Sequence, residues 1–160
     1  MSFETARDHL ASLGLADRIK IDDVPTATVQ QAAAALGVGP ELIAKTLAFK
    51  GVEPGTGILI VAAGDARVNN GSFKAQFGIK ASMLDPESTI ALTGHAIGGV
   101  CPFANPEGTP VYLDESLRRF EVVYPACGSS DSSVRLTLAE LETASLAKGW
   151  VNVTKIPEVS

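Results

Sequence analysis

The apolar residues of this chain come in short blocks of two different periods, and glycine, proline or asparagine closes nearly every block. No other feature constrains the fold as strongly. A step of three and four residues makes one helix face, whereas alternation or a short continuous run makes a strand. Phe3, Ala6, Leu10 and Leu13 follow the first rule and predict an opening helix that Gly14 ends. Residues 18–22 alternate and predict a short strand, broken at Val24-Pro25. Thr28 is placed to cap a second helix whose apolar face is Val29, Ala32, Ala33 and Leu36, closed by Gly37. Pro40-Glu41 begins a turn of helix leading into Lys45.

Strands follow over 46–49 and 58–62, with Pro54, Gly55 and Gly57 supplying a hairpin loop between them. Asn69-Asn70-Gly71 reads as a break ahead of a short helix over 72–77. A strand over 80–84 precedes a helix opened by Asp85-Pro86-Glu87, with Pro86 at a favoured first-turn position. Residues 93–106 are dense in glycine and proline. Further strands are expected over 111–113, 121–124 and 134–136. Thr137 and Glu140 have the spacing of a capping box for the last helix, whose Leu138, Leu141 and Ala144 face inward. Residues 150–153 add a final edge strand. Helices and strands thus interleave irregularly and several connections are hairpins. The expectation is an α/β fold with a mixed, curled sheet, a partial barrel, and surrounding helices rather than a regular doubly wound sheet. At 160 residues, with no repeat, low-complexity tract or linker, residues 1–160 read as one domain.

Composition narrows the function. Apolar residues make up 46% and charged residues 19%, as in a chain that buries a core without staples. No apolar run approaches the ~20 residues of a membrane span. The segment from Met1 to Leu10 has no signal-peptide pattern, so no membrane contact and a cytoplasmic location are expected. Cys101 and Cys127 then read as reduced thiols. No Cys/His cluster has metal-ligand spacing, and no metal or other cofactor is expected. A net charge of −5 argues against broad, sequence-blind nucleic-acid binding, and no DNA partner is expected. Between Glu41 and Lys80, however, five bases (Lys45, Lys50, Arg67, Lys74, Lys80) face three acids (Glu41, Glu53, Asp65). That excess reads either as an ordinary mixed-charge surface or as a local basic face.

Two stretches can carry chemistry. The run from Thr93 to Phe103 holds Gly94, Gly98 and Gly99 within six residues, and Pro102 stiffens its end. Such a loop lets backbone approach a ligand and aim N–H groups at an anionic oxygen, or it is simply a tight connection from helix to strand. Lys45 is the only charge between Leu42 and Phe49. Its amine either snorkels to solvent, where it contributes little to stability, or grips a phosphate or ribose at a pocket mouth.

Taken together, Lys45-Thr46-Leu47, Val61-Ala62-Ala63-Gly64-Asp65 with Arg67-Val68, the loop from Thr93-Gly94 to Gly98-Gly99-Val100-Cys101-Pro102, and Val111-Tyr112-Leu113-Asp114 resemble the YbaK/EbsC family. These proteins are stand-alone relatives of the editing domain inserted in bacterial prolyl-tRNA synthetases. The resemblance runs from about Ile21 to Leu141 in the family's order and spacing. It implies hydrolysis of the ester joining a mismatched small amino acid to the 3′ adenosine of a tRNA, with tRNA(Pro) the expected carrier and a synthetase a further partner. The family's lysine falls on Lys45 and its GxxxP loop on Gly98, Gly99, Val100, Cys101 and Pro102. By the same resemblance Ile21, Thr28, Thr46, Gly94, His95, Ala126 and Gly128 are expected around the substrate. In the implied mechanism a ribose hydroxyl helps position the attacking water, loop N–H groups hold the developing oxyanion, and Lys45 anchors the terminal nucleotide.

The cysteinyl-tRNA(Pro) branch carries a serine where Ala126 stands, an aspartate near Ser133 and an aromatic residue near Thr28. Those departures leave another small amino acid at least as strong an expectation as cysteine. Two rival readings remain. Cys101, six residues from His95, would serve a thiol hydrolase if a base or positive field reached it. A non-catalytic module binding aminoacyl-tRNA or a synthetase could dispense with the lysine or the loop, and this chain has both.

Overall fold

A computed structural model of the chain describes residues 2–26, 28–106 and 108–157. Its centre is a six-stranded mixed sheet built around β2 (Ile43–Lys50) and β3 (Gly57–Ala63), which pair antiparallel along seven residue pairs from Ala44↔Ala63 to Lys50↔Gly57. β5 (Val111–Asp114) runs parallel to β3, and β9 (Gly149–Val151) parallel to β5 as the edge strand. On the other side β6 (Val122–Pro125) runs parallel to β2, and β8 (Leu136–Thr137) closes that edge. Two small ribbons flank the sheet: β1 (Ile19–Ile21) with β7 (Ser132–Val134), and β4 (Arg67–Val68) with β10 (Thr154–Lys155). Among the described residues five α-helices pack around this curled half-barrel: α1 (Ser2–Ser12), α2 (Val29–Leu36), α3 (Asn70–Phe77), α4 (Pro86–Thr93) and α5 (Leu138–Ser145). The mixed, curled sheet with surrounding helices is the architecture the punctuated sequence called for.

β3 explains itself: all seven of its residues are buried, as a strand covered on both faces must be. Each fully buried Leu, Ile or Val contributes about 1.5–3 kcal/mol. On one side Phe49, Phe73, Phe77 and Tyr112 form a chain of rings with centroids 4.9, 4.8 and 5.2 Å apart. Thr28 and Thr137 cap α2 and α5 as reciprocal capping boxes with Gln31 and Glu140.

Three local expectations are corrected. Asn69-Asn70-Gly71 is not a break: the Asn69 side chain accepts from Ser72 N at 2.9 Å and caps α3, which starts at Asn70. The strand expected over 80–84 is reduced to one bridge, Phe49↔Met83, because Asp85 must already cap α4. The strand expected over 134–136 is split at Arg135, since β7 serves the ribbon with β1 whereas β8 joins the main sheet. Among the described residues no helix is long and apolar enough to cross a membrane.

Candidate functional site

β2 is flanked unevenly. β3 covers one of its edges throughout, but β6 meets the other only at Ile43 and Ala44. Further along, Leu84 N donates to Ala48 O at 3.0 Å and Lys50 N to Ser82 O at 2.8 Å. Between these contacts no strand among the described residues lies on this edge of Lys45, Thr46 and Leu47, and a cavity of about 310 Å³ opens there. Its lining includes Thr28, Val29, Lys45, Thr46, Ile97, Gly98, Val100, Tyr124, Ala126, Ser132 and Ser133. Backbone groups alternate between the two edges of a strand. Since Ala48 and Lys50 bond across the open edge, Thr46 presents its own N–H and C=O to it. The Thr46 hydroxyl oxygen is also buried, without a hydrogen-bond partner. An unsatisfied buried hydroxyl in a cavity wall is a group that a polar ligand would complete.

Lys45 neither snorkels nor stands free. Its half-buried ammonium donates to Gly64 O at 3.3 Å and, more closely, to Ala66 O, two carbonyls of the turn between β3 and β4. An ammonium has three donors, so one remains for a ligand. Burial holds its pKa below the ordinary lysine value; Asp65 opposes that shift and Arg67 adds to it. The turn itself is fixed twice. Arg119 grips the Asp65 carboxylate bidentately at 2.6 and 3.0 Å while its Nε donates to Ser116 O at 2.9 Å. Gly64 lies so close to the backbone of Pro40 that an added Cβ would sit 2.0 Å from the Pro40 carbonyl oxygen. The hydrogen bonds from Arg119 hold the Asp65 carboxyl below its usual range.

The glycine-rich loop leaves α4 through Gly94, which takes a left-handed φ of 78° and donates to Ile90 O at 2.9 Å. Gly98, at φ 95°, and Val100 line the cavity. Gly99 packs against backbone instead, with an added Cβ falling 2.9 Å from Gly128 C and O and from Ser129 N. Cys101 and Pro102 are buried and turn away from the cavity lining. Thus the structure gathers Lys45, Thr46, Thr28, Gly98, Val100 and Ala126 around one cavity, with Gly99 and Gly128 bracing its wall. Gly94 and His95 support the loop from outside the lining, and Ile21 is exposed on β1, away from it.

The geometry also bears on the thiol reading. Cys101 Sγ is 3.4 Å from His95 Nε2, but that nitrogen is 3.0 Å from Phe103 O. A carbonyl only accepts, so Nε2 carries the proton and has no lone pair with which to take one from the thiol. Both residues are buried, burial pushes the Cys101 thiol well above its ordinary pKa, and burial lowers that of His95. Cys101 and Cys127 are both free thiols in the interior.

Sequence reasoning did not single out Arg119, Tyr124, Ile97 or Ser132. Arg119 reaches Asp65 from 54 positions away, and no spacing announces such a pair.

Residues 23–144 match the aminoacyl-tRNA editing domain family. An uncharacterised Bacillus subtilis (strain 168) protein, YwhH, is 45% identical over 155 residues, spanning 97% of this chain and 98% of its own. The crystal structure of a candidate trans-editing enzyme for prolyl-tRNA synthetase superposes with a TM-score of 0.84 at 28% identity, over 96% of this chain and 97% of that one. A crystal structure of a hypothetical protein gives a TM-score of 0.83 at 30% identity, over 94% and 99%.

Proposed function

The chain belongs to the aminoacyl-tRNA editing domain family, and from that premise we propose that it is a trans-editing deacylase. It removes a mischarged small amino acid from tRNA, with tRNA(Pro) as the carrier. The observation that carries this reading is the meeting of Lys45, the open β2 edge at Thr46 and the Gly98–Val100 backbone around one cavity. Water attacks the ester carbonyl carbon, the bond to the ribose oxygen breaks, and the water's proton passes to that oxygen through the neighbouring ribose hydroxyl. The products are a free amino acid and an uncharged 3′ end. Lys45 offers its remaining N–H to the terminal nucleotide, and Thr46 completes its buried hydroxyl with a polar atom of the substrate. The Gly98 and Val100 N–H groups stabilise the oxyanion, each well-aimed donor being worth ~3–4 kcal/mol, while the Gly99 N–H is given to Ala96 O at 2.9 Å and holds the turn. Cys101 and Pro102 act from behind this segment, by packing.

The direct test is deacylation of tRNA(Pro) charged with alanine, cysteine, serine, threonine or 2-aminobutyrate. The expected result is hydrolysis of at least one of these above the buffer rate, with correctly charged prolyl-tRNA spared. Binding of all five without hydrolysis of any would make the chain a tRNA-binding module instead.

Cys101→Ser is expected to keep deacylation within a few-fold of the parent, because the thiol lies outside the cavity and the adjacent imidazole nitrogen carries a proton. Its stability should fall by about 1–3 kcal/mol, since a hydroxyl replaces sulfur at a fully buried site. A loss of several orders of magnitude in a folded Cys101→Ser protein would favour the thiol hydrolase.

A further inference from the structure

Arg67 and Lys155 are directly opposite each other in the β4–β10 ribbon. Both are exposed, while Thr154 of the neighbouring pair is buried and Val68 packs on the core, so the two cations share the outer face. Like charges facing each other across strands are destabilising on their own. Here nothing among the described residues neutralises them. Asp65 is occupied on both oxygens by Arg119, and Glu115 pairs with Arg118. Asp114 is buried and accepts from Ser116 N, Val153 N and Thr154 Oγ1. These last two bonds also fix β10 and hence the position of Lys155. The pair adjoins the cavity: Ala66, whose carbonyl holds the Lys45 ammonium, immediately precedes Arg67. Arg67, which lowers the Lys45 pKa through its charge, and its partner Lys155 thus set three cations close to the cavity on a chain whose net charge is −5.

Resting on the deacylase reading, we infer that Arg67 and Lys155 form a phosphate-docking site for the single-stranded 3′ tail of the tRNA, gripping the backbone just behind the nucleotide that Lys45 anchors. Two strands in a ribbon stand about 4.8 Å apart, so both side chains can close on one phosphate. Arginine supplies a bidentate fork and lysine a point charge. A phosphodiester between them relieves the repulsion that the free protein carries. This contact carries no sequence information; it sets register and adds salt-dependent affinity.

The test measures the binding of uncharged tRNA to the parent, Arg67→Ala and Lys155→Ala across a salt series, alongside thermal melts. Each variant is expected to melt at or slightly above the parent, since one of two facing like charges is gone, to bind about tenfold more weakly, the scale of one charge-assisted contact, and to lose about 0.7 from the salt slope. Each should also raise the protein concentration needed for half-maximal deacylation. Parental affinity and slope in both variants would overturn the inference. A second arm uses tRNA lacking its three terminal nucleotides: parent and variants should then bind alike, and a difference that persists would place the contact on the duplex and refute the tail site. Inorganic phosphate at the same concentration as the tRNA should not compete; equal competition would make this a free-phosphate site. A chain that binds tRNA through the pair but hydrolyses no charged species would sink the deacylase reading and leave the docking site standing. Hydrolysis with parental binding in both variants would do the reverse.

Discussion

Lys45→Ala is expected to slow single-turnover deacylation of the best substrate by roughly a thousandfold or more. One charge-assisted contact to the terminal nucleotide accounts for ~1.5–3 kcal/mol of that loss. The rest comes from aim, because misplacing an ester by about 1 Å against its oxyanion donors costs on the order of a hundredfold. The variant should remain folded but melt lower. The ammonium is tied to Gly64 O and Ala66 O, so its removal strips donors from two carbonyls of a tight turn. Leaving such groups short costs about 1–3 kcal/mol, and each kcal/mol lowers the Tm by ~2–4 °C in a domain of this size. Lys45→Met keeps the apolar stem and should lose as much activity. Lys45→Arg should restore only part, because a planar fork cannot meet two converging carbonyls and a ligand as a tetrahedral ammonium does. The measurement pairs single-turnover kinetics with a thermal melt. Lys45→Ala deacylating within about threefold of the parent, well short of the tenfold that 1.4 kcal/mol brings, would remove Lys45 from the site.

That stability change was not legible in the sequence, and the reason is instructive. An apolar run around one lysine says that the ammonium must escape or be satisfied; it does not say by what. The satisfying atoms are backbone carbonyls 19 and 21 positions away. They are in place only because Gly64 can press against Pro40 and Arg119 can reach Asp65. Much of the local chemistry was legible, although the cap that Asn69 places on α3 was read as a break. The cap at Thr28, the capping box at Thr137, the hairpin between β2 and β3 and the glycine end of α2 all follow from side chains acting within a few residues of themselves. What pattern could not supply was partnership across the sheet. Nothing in the 134–136 run tells that Val134 will pair with Ile19 while Leu136 pairs with Val123. The same limit applied to the site. A separation of six positions between His95 and Cys101 suggested a dyad, and the spatial proximity is real. Burial of both side chains and the Phe103 carbonyl on Nε2 decide what that proximity can do.

Gly99→Ala should damage the same reaction from the opposite wall. Its φ lies outside the left-handed region, so the backbone conformation itself suits alanine; the difficulty is contact. The new methyl would lie 2.9 Å from Gly128 C and O and from Ser129 N, all backbone atoms that cannot rotate aside. Either the Gly98–Val100 segment or the connection between β6 and β7 must therefore move. Overpacking of this kind costs about 1–3 kcal/mol. The catalytic cost should be larger than the stability cost suggests, since oxyanion donors lose most of their value when displaced by a fraction of a hydrogen-bond length. Loss of one donor alone is worth ~10²–10³ in rate, and deacylation by Gly99→Ala should fall by at least about a hundredfold on that scale. Gly149→Ala is the control. Its added Cβ meets nothing within 4 Å and its φ is ordinary, so both rate and melt should match the parent. Single-turnover rates for the two variants separate a loop that must sit in one place from one that merely connects α4 to the rest of the domain. Should a folded Gly99→Ala protein deacylate within threefold of Gly149→Ala, the loop backbone is not what holds the oxyanion, and the chemistry would have to be sought along the β2 edge at Thr46.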